Sequence, residues 1–430
     1  MSAPCIVQSV PPPPEGGVWP VVIVGAGAAG LMAGVFAGRC GVRALLLESR
    51  PKPGAKIRVS GGGRCNVLPS VVELDDFATE GSRNALKNVL ASWPLKECRA
   101  FFERDLGIPL KVEDTGKVFP VSDDPAQILD ALFSELGRNG AQIVGGVRAE
   151  ELTPLAPEAA DGARFELQLS PTARVRARSV VLATGGLSLP KTGSDGWGYT
   201  AAHKLGHTVL RRYPALVPLA SLEQRWAELA GISLPTTVSA LRGEKLLGAR
   251  TGDFLFTHKG FSGPVVLDQS RLVTGPDHDG VELAASWLGL GPAEWDLKLQ
   301  KGGARSVLLF LRDLLPRRMV SLLIDFARVP ADRKLSEMTR EERRRLVHVL
   351  GQCPLSIVGD EGYRSAEVTG GGVALDEVST KTLESRLVPG LYFCGEVLDV
   401  IGRIGGFNFL WAWVTGRKVG LALAAPRGET

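Results

Sequence analysis

Short apolar runs that end at glycine dominate the hydrophobic pattern near the start of the chain. The first is Val21-Val22-Ile23-Val24, followed directly by Gly25-Ala26-Gly27-Ala28-Ala29-Gly30. A continuous apolar run predicts a strand buried on both faces, and the small residues after it predict a tight turn into a helix. Leu45-Leu46-Leu47-Glu48 predicts a second strand that ends in an acid. The pattern indicates a strand, helix and strand of a parallel sheet.

This turn follows the dinucleotide-binding pattern. Gly25 permits the sharp turn, Gly27 lets the backbone approach a pyrophosphate, and Gly30 lets the helix pack closely on the sheet. Free amides at the helix start attract phosphates. Glu48 can accept hydrogen bonds from both ribose hydroxyls of an adenosine and repel a 2′-phosphate, which leaves FAD or NAD rather than NADP. The predicted cofactor contacts here are Gly25, Gly27, Ala28, Ala29, Gly30 and Glu48.

A membrane span is the alternative interpretation of this region. Val18 to Gly38 carries no charge and is long enough to cross a bilayer. Gly30, Gly34 and Gly38 also have the spacing of a helix-packing motif. The glycines fit a strand, a turn and a closely packed helix of a soluble core better, so we expect no membrane partner.

A second glycine-rich segment follows, from Pro53 to Asn66. We predict a loop throughout, because three successive glycines disfavour both helix and central strand. Its basic side chains are available to phosphates, and Ser60 and Asn66 are available to polar edges of a ligand. The predicted contacts are Lys56, Ser60, Gly61, Gly62, Gly63, Arg64, Cys65 and Asn66.

Two later apolar runs predict further strands of the same sheet. Ala141 to Val147 is one, and the backbone of Val147 is placed to touch an adenine. Val180 to Leu182 is the other, and it leads into Ala183-Thr184-Gly185-Gly186. An Ala-Thr-Gly element of this type lies beside the pyrophosphate in many two-part flavoproteins. The predicted contacts are Val147, Thr184, Gly185 and Gly186.

The far end of the chain supplies a second half of the site. Gly390 to Glu396 predicts a last strand whose acid can bind the ribityl hydroxyls of FAD. The amides of Gly402 to Asn408 can face the flavin pyrimidine ring, and a helix is predicted from Leu410 to Ala424. NAD needs no such half, so the combination selects FAD over an ordinary strand, loop and helix. The predicted contacts are Gly395, Glu396, Gly405, Gly406, Phe407 and Asn408.

Composition is that of a large globular enzyme. The chain has 430 residues, enough for two or three domains, with 44% hydrophobic and 22% charged residues. A net charge of +4 is too small to indicate nucleic acid or acidic lipid as a partner. The first residues lack a basic start and an apolar core and contain Pro11 to Pro14, so we expect a flexible leader rather than a secretory signal.

The cysteines indicate a reducing compartment. All six are scattered, without a CxxC pair or zinc-ligand spacing. Cys65 and Cys394 lie inside glycine-rich motifs, where small buried side chains are the favoured interpretation. We therefore expect a cytoplasmic protein without a bound metal.

Further motifs stand beside the opening fingerprint: Ser60 to Asn66, Ala183 to Gly186, Gly193 to Gly196, Phe256 to Pro264 and Gly395 to Asp399. In these motifs, and from about residue 20 to 425, the chain resembles the aminoacetone oxidase and BaiN-like FAD-binding flavoproteins. Two departures are Leu68-Pro69, where Thr-Asn is usual, and Phe407 and Leu410, which replace a common Tyr and Gln. The resemblance adds Asp399 to the expected cofactor contacts.

The resemblance implies an α/β fold: a Rossmann-like FAD-binding domain in two pieces, interrupted by an inserted β-barrel and helical domain. The expected parts are a flexible leader (1–19), the first FAD-binding piece (20–212), a β-barrel-like insert (213–300), a helical insert (301–362) and the second FAD-binding piece (363–430).

The residues of the insert agree with this division. Short strands are predicted first, and helices follow, of which one begins with the Thr339-Arg340-Glu341-Glu342 capping box. The predicted strands are Thr236 to Leu241, Lys245 to Leu247, Asp253 to Thr257, Val281 to Ala285 and Trp295 to Leu299, and the other predicted helices are Ser306 to Leu315 and Arg317 to Ala327.

Arginines are frequent in the helical part, and a basic face could hold RNA. A solvated surface paired with the nearby acids Glu337, Glu341 and Glu342 is the favoured interpretation, so nucleic acid is not the expected partner. The arginines concerned are Arg317, Arg318, Arg340, Arg343, Arg344 and Arg345.

His258 is the best candidate for a catalytic acid or base among five histidines. It lies in the Thr257 to Pro264 loop, which the resemblance places near the flavin face; a structural role, bonded to backbone, is the alternative.

We expect an FAD-dependent oxidoreductase that transfers hydride through flavin N5 to or from a small organic substrate, with NAD(P)H or oxygen as redox partner. No second fingerprint occurs in the sequence, so NAD(P)H is expected only as a transient donor. An RNA-modifying flavoprotein and a flavin-binding protein without its own turnover are the alternatives. The sequence indicates neither the substrate nor the oligomeric state.

Overall fold

The computed structural model describes residues 6–14, 17–156, 161–170 and 173–425, which form two compact units. The first unit contains the residues up to Arg212 and those from Val368 onwards, and the second runs from Tyr213 to Glu367. The predicted class, an α/β Rossmann-like domain in two pieces with an insertion, is confirmed.

The described elements alternate between strands and helices in the first unit and are grouped in the second. The strands are β1 (Ile6–Val7), β2 (Trp19–Val24), β3 (Ala44–Glu48), β4 (Leu68–Pro69), β5 (Phe77–Ala78), β6 (Leu110–Val112), β7 (Lys117–Pro120), β8 (Gln142–Gly145), β9 (Glu151–Pro154), β10 (Phe165–Ser170), β11 (Ala173–Leu182), β12 (Tyr213–Ala215), β13 (Leu219–Ser221), β14 (Ser233–Arg242), β15 (Lys245–Phe256), β16 (Gly260–Ser262), β17 (Val281–Trp287), β18 (Cys353–Pro354), β19 (Ile357–Asp360), β20 (Val368–Gly370), β21 (Leu391–Phe393) and β22 (Ile401–Gly402). The α-helices are α1 (Ala28–Arg39), α2 (Ala55–Gly63), α3 (Arg83–Leu90), α4 (Leu95–Ala100), α5 (Pro125–Arg138), α6 (Trp197–Lys204), α7 (Pro264–Thr274), α8 (Pro292–Gln300), α9 (Val307–Arg312), α10 (Arg317–Ala327), α11 (Arg340–Gly351) and α12 (Phe407–Ala422). Shorter helical turns are Leu74–Asp76, Phe101–Asp105, Pro190–Thr192, Gln224–Leu229, Leu335–Glu337, Leu375–Glu377 and Gly395–Val397.

An eight-stranded sheet forms the centre of the first unit. Its order is β1-β8-β3-β2-β11-β10-β9, and β21 also pairs with β11. Strands β1, β8, β3, β2, β11 and β21 are parallel, whereas β10 and β9 extend the sheet as antiparallel strands. In register, Val22 lies opposite Leu45, and Val181 lies opposite both Ile23 and Tyr392. The C-terminal piece thus contributes a strand to the N-terminal sheet.

The apolar runs of the sequence are buried because both faces of this sheet are covered. The side chains of Val21 to Ile23 and of Leu45 and Leu46 are inaccessible to solvent. Helix α1 is buried along most of its length, which explains its membrane-like composition. Val18 to Gly38 folds as the end of a loop, β2, a turn and α1, and none of the described helices is long and apolar enough to cross a membrane.

Helices α1 and α12 touch at their backbones. A β-carbon at Gly416 would overlap the carbonyl oxygen of Ala29, and one at Gly420 would lie 2.6 Å from the carbonyl oxygen of Ala33. Because Gly416 lies against Ala29 and Gly420 against Ala33, residue numbers increase in the same direction along both helices. The two helices are therefore parallel. Two smaller sheets, β4-β7-β6 and β5-β22, also belong to the first unit.

The second unit is built on a seven-stranded antiparallel sheet with the order β18-β17-β14-β15-β16-β13-β19. Residues 353–360 reach both of its edges: Cys353 and Pro354 pair with β17, whereas Ile357 to Asp360 pair with β13. This single segment closes the sheet into a barrel-like arrangement. Fully buried aromatic side chains, including Phe254, Phe256 and Trp287, fill its interior.

Helices α8 to α11 accompany this sheet, and α11 begins with the predicted capping box: Thr339 and Glu342 bond each other's backbone N–H. The prediction of a strand from Trp295 to Leu299 is wrong, because this segment lies in α8. Trp295 and Leu299 are buried four residues apart on one helix face, whereas Leu297, which the strand pattern would bury, is 53% exposed.

The boundaries differ from the predicted ones in several places. The segment predicted as a loop, residues 53 to 66, contains helix α2. That helix is interrupted only at Ser60 to Gly62. Ile6 and Val7, in the predicted flexible leader, pair with β8, while residues 1–5 and 15–16 of that leader lie outside the described residues. Helix α12 starts three residues before the predicted Leu410. Strands β18 and β19 lie in the range predicted as helical.

A buried histidine connects the two pieces of the first unit. The hydroxyl oxygen of Ser385 accepts the N–H groups of Leu387 and Val388, so its hydrogen is directed to Nε2 of His207, 2.9 Å away. Nδ1 of His207 then donates to Glu377 at 3.1 Å. Burial lowers the pKa of His207, and the Glu377 carboxylate acts in the opposite direction without cancelling the effect.

Acid should therefore destabilise the protein through His207. The unfolded histidine titrates near its ordinary pKa of about 6.5, while the folded pKa is lower, so the unfolded state binds more protons as the pH falls. The stabilisation by neutral His207 is complete above about pH 6.5 and is lost towards lower pH. We expect His207→Leu to lower the free energy of unfolding by about 2 kcal/mol at pH 7.5, because the buried hydrogen bonds of His207 with Ser385 and Glu377 are lost, and to weaken the decline below pH 6.5.

Urea unfolding between about pH 5 and 8 measures both effects. The exposed His203 on α6 offers the control: His203→Leu should keep wild-type stability at pH 7.5. Identical pH slopes for wild type and His207→Leu would contradict the assignment.

Candidate functional site

The turn from β2 into α1 leaves a helix start without a side-chain cap. Gly27 is the N-cap residue, it makes no capping hydrogen bond, and the first turn carries no acid. A β-carbon at Gly27 would meet no atom within 4 Å, so the space before the helix is open. The unpaired amides of Ala28 to Gly30 and the positive end of the helix dipole make this an anion-binding position.

Glu48 ends β3 beside this turn. One carboxylate oxygen accepts the N–H of Ala26 at 3.0 Å and the other accepts the N–H of Arg50 at 2.9 Å. Burial raises the pKa of the Glu48 carboxyl, and these backbone N–H groups oppose the rise. The N–H of Val147 donates to the Glu48 carbonyl oxygen at 3.0 Å, so Val147 is beside Glu48 but its donor is already used.

The Ala183 to Gly186 segment touches the same turn from the adjacent strand. The N–H of Ala183 donates to Val24 at 2.9 Å, and a β-carbon at Gly25 would lie 2.8 Å from the carbonyl carbon of Ala183. A β-carbon at Gly198 would overlap the hydroxyl of Thr184. These close approaches explain the glycines.

The Ser60 to Asn66 segment is connected to the start of α12. Oriented to satisfy both of its ends, the Asn66 amide donates to the carbonyls of Val118 and Leu68, and its oxygen accepts the N–H of Gly406 at 3.0 Å. Cys65 has a positive φ of 61°, and burial raises the pKa of its thiol to about 12. That thiol stays protonated at neutral pH, which fits the packing interpretation.

Arg64 is held by acids. Its guanidinium lies 2.6 Å from Glu113 and 3.5 Å from Asp123, and it stacks over the Phe119 ring at 4.1 Å. Its charge is thus already balanced within the protein.

The Glu396 carboxylate forms hydrogen bonds with three other segments of the chain. Its Oε2 atom lies 2.6 Å from Nζ of Lys56, and its Oε1 atom accepts the Ser188 hydroxyl at 2.8 Å and the Thr369 N–H at 2.9 Å. Lys56 also donates to the Ser188 hydroxyl oxygen at 2.7 Å. A β-carbon at Gly186 would lie 2.6 Å from Glu396, and Gly185 is also adjacent.

Sequence reasoning missed Ser188 and Thr369. Ser188 stands two residues after Gly186, and Thr369 directly precedes Gly370-Gly371-Gly372, a glycine cluster of the kind that marked the other segments. That cluster was the signal that could have found Thr369.

Helix α12 fixes the segment that carries Glu396. The Trp411 indole donates to the Gly395 carbonyl at 3.1 Å, and the Thr415 hydroxyl accepts the Gly395 N–H at 2.9 Å. The N-cap of α12 is Gly406, with a φ of 96° and no side-chain cap, so this helix also begins with free amides. The Asn408 side chain bonds both backbone groups of Gly402 at 2.8 Å and thereby closes the preceding turn.

Asp399 is hydrogen-bonded to the segment from Thr79 to Gly81. One of its oxygens accepts the Thr79 hydroxyl at 2.8 Å and the N–H groups of Glu80 and Gly81 at 2.7 and 3.2 Å. Burial raises the pKa of Asp399, and these donors oppose the rise.

The two uncapped helix starts open towards the same side of the unit. Gly416 of α12 lies opposite Ala29 of α1. Helix α12 has nine residues before this point of contact, whereas α1 has only one. At 1.5 Å per residue, the start of α12 extends about 12 Å beyond the start of α1. The geometry suits an extended ligand that is negatively charged or electron-rich at two separated points.

Apart from His258, the predicted site residues all lie in the first unit. His258 belongs to the second unit, where it is exposed in the turn between β15 and β16. The Thr257 hydroxyl accepts the N–H groups of Lys259 and Gly260 at 3.3 and 3.1 Å and thereby shapes this turn.

Known proteins resemble this chain over most of its length. The family model of the HI0933-like protein Rossmann domain matches residues 19–422. The chain is 33% identical over 414 residues to a 3-dehydro-bile acid delta(4,6)-reductase of Clostridium scindens, covering 94% of this chain and 98% of the relative. It is 34% identical over 397 residues to a ribosomal RNA dihydrouridine synthase of Escherichia coli, covering 91% and 94%. A solved flavocytochrome c3 fumarate reductase is 15% identical with a TM-score of 0.49, covering 96% of this chain and 78% of that one.

The glycines of the first turn should differ in what they contribute to stability. Gly30→Ala should lower the free energy of unfolding by about 2 kcal/mol, although alanine favours helices, because its β-carbon would overlap the Gly25 carbonyl oxygen. Gly27→Ser is the matched control and should stay within about 0.5 kcal/mol of wild type, because serine caps helix starts and the space is open. Urea unfolding of both variants measures the difference, and equal losses would refute this description of the turn.

Proposed function

The chain belongs to the HI0933-like family and is an FAD-dependent oxidoreductase, and we propose that it reduces a carbon–carbon double bond conjugated with a carbonyl group. The observation that carries the proposal is the likeness, over more than 90% of the chain, to two relatives whose names describe one type of reaction. A delta(4,6)-reductase of a 3-dehydro bile acid and a dihydrouridine synthase both add hydrogen to such a bond. Bound FAD supplies hydride chemistry at N5.

The first unit has the features that an extended FAD requires. The open start of α1 at Gly27 suits the pyrophosphate, and Glu48 suits the adenosine ribose, with the second lone pair of its Oε2 atom available for a hydroxyl. The amides of Phe407 and Asn408 in the first turn of α12 suit the flavin pyrimidine edge, where a helix start stabilises negative charge. The separation of about 12 Å along the helices leaves room for the ribityl chain between them.

The role of each remaining predicted contact depends on whether its polar groups already have partners within the protein. Val147 can offer an adenine amino group its carbonyl oxygen, since its N–H is used. We propose that Asn408 and Asp399 shape the site through the backbone that they bond, and that Arg64 does so through its acids, instead of contacting FAD.

Hydride addition to a conjugated double bond must be completed by a proton. Hydride adds to the carbon distant from the carbonyl, and the proton adds to the adjacent carbon. His258 is our candidate for the residue that delivers this proton.

A small organic substrate is favoured over RNA. Residues 213–367 contain 20 Lys and Arg and 19 Asp and Glu, so this stretch has almost no net charge. Several of its helix arginines have partners: Arg344 bonds Glu341 at 2.9 Å, and Arg345 donates to the carbonyl oxygen of Ala327 at 2.9 Å. RNA uridine stays the second candidate because of the Escherichia coli relative alone.

NADH or NADPH should bleach the yellow absorbance of the purified protein without oxygen, because reduction of the double bond needs an external two-electron donor. A 3-oxo-Δ4,6 steroid acid should then restore the colour, while the corresponding saturated ketone, which lacks the reducible bond, should not. His258→Ala should slow this restoration at least about tenfold without changing bleaching by NAD(P)H, as expected when a proton donor is lost.

Stopped-flow absorbance measures both half-reactions. A ribosomal RNA fragment that restores the colour when the steroid acid does not would select the second candidate. If no conjugated compound restores the colour faster than its saturated counterpart, the proposal is wrong.

A further inference from the structure

Lys56 forms an ion pair across almost the whole chain. Its ammonium lies 2.6 Å from Glu396 and 2.7 Å from the Ser188 hydroxyl, although Lys56 and Glu396 are 340 positions apart. Both partners are largely buried, with side-chain exposures of 25% for Lys56 and 17% for Glu396. A charge pair in such a position is screened less by water than a surface pair and constrains both side chains.

The donors around Glu396 leave one acceptor position. A carboxylate has about four lone-pair positions, two on each oxygen. Oε1 already accepts the Ser188 hydroxyl and the Thr369 N–H, whereas Oε2 accepts Lys56. One hydrogen-bond position is therefore left, and it is on the oxygen that Lys56 holds.

The other members of this cluster are fixed by backbone contacts. The Thr369 hydroxyl oxygen accepts the N–H groups of Leu187 and Ser188 at 2.7 and 3.0 Å, and both Ser188 and Thr369 are buried. Lys56 comes from a different segment, the first turn of α2. Its cation sets the direction of Oε2 and balances the charge of Glu396.

We propose that Lys56 is a positioning residue, which orients Oε2 of Glu396 to accept one ribityl hydroxyl of FAD. The inference rests on the proposed placement of FAD, and it replaces the simpler expectation that Lys56 binds a phosphate. It predicts that the contribution of Lys56 to FAD affinity passes through Glu396.

A double-mutant cycle tests this coupling. Lys56→Met should weaken FAD binding about tenfold, or about 1.4 kcal/mol, whereas Lys56→Arg should stay within about threefold because it keeps the cation. In a protein that already carries Glu396→Gln, Lys56→Met should change the affinity for FAD less than about twofold, because the carboxylate that Lys56 orients is gone. Lys52→Met, which changes an exposed lysine four positions earlier, should bind FAD as wild type does.

Titration of each flavin-free variant with FAD gives the affinities, and urea unfolding of the same preparations separates binding from folding. If Lys56→Met does not fold, Lys56→Gln, which keeps a polar group at the end of the side chain without its charge, takes its place in the cycle. Equal losses with and without the Glu396 carboxylate, or unchanged affinity in Lys56→Met, would overturn the proposal. A wild-type protein that binds no FAD would instead refute the proposed function.

Discussion

The close contact between α1 and α12 holds the two ends of the chain in one unit. It depends on Gly416 and Gly420, because any side chain there would collide with the backbone of α1 at Ala29 and Ala33. Backbones that approach so closely fix the relative depth of the two helices as well as their distance. The positions of both helix starts, and of the glycine turns before them, follow from this contact.

The acids of the site are positioned by the same arrangement. Glu48 ends a parallel strand, and Glu396 follows another, β21, which α12 anchors through Trp411 and Thr415. Ligands of open parallel sheets bind beyond the carboxyl ends of the strands, where loops can be shaped without disturbing the sheet. Glu48 and Glu396 thus both lie at the carboxyl ends of strands of the central sheet.

Local patterns predicted the parts of the site whose physics is local. Strands β2 and β3 lie within two residues of their predicted bounds, with the predicted helix between them, because a continuous apolar run, a glycine turn and a terminal acid depend on neighbours in sequence. The alternation from Trp295 to Leu299 fits a strand or a helix face equally, and only tertiary burial decided for α8. The predicted loop after Gly54 began as a helix for the same reason, since the side chain of Ile57 is buried.

Long-range partners could not be read from the chain. Nothing near Lys56 or Arg64 in sequence reveals that one pairs with Glu396 and the other with Glu113. Asn408 was expected near a flavin, yet its side chain closes its own turn, and Thr369 was missed although a glycine cluster follows it. Residue types indicated the chemistry of the site, whereas which groups are already paired depended on the fold.

Titration of the flavin-free protein with FAD and with FMN tests most directly whether one extended site joins the two helix starts. FMN has the flavin and ribityl parts but lacks the adenosine half, for which the start of α1 and Glu48 are suited. We predict that FAD binds at least about a hundredfold more tightly than FMN, a difference of about 2.7 kcal/mol. Equal affinities for FAD and FMN, or no binding of either, would contradict the extended site.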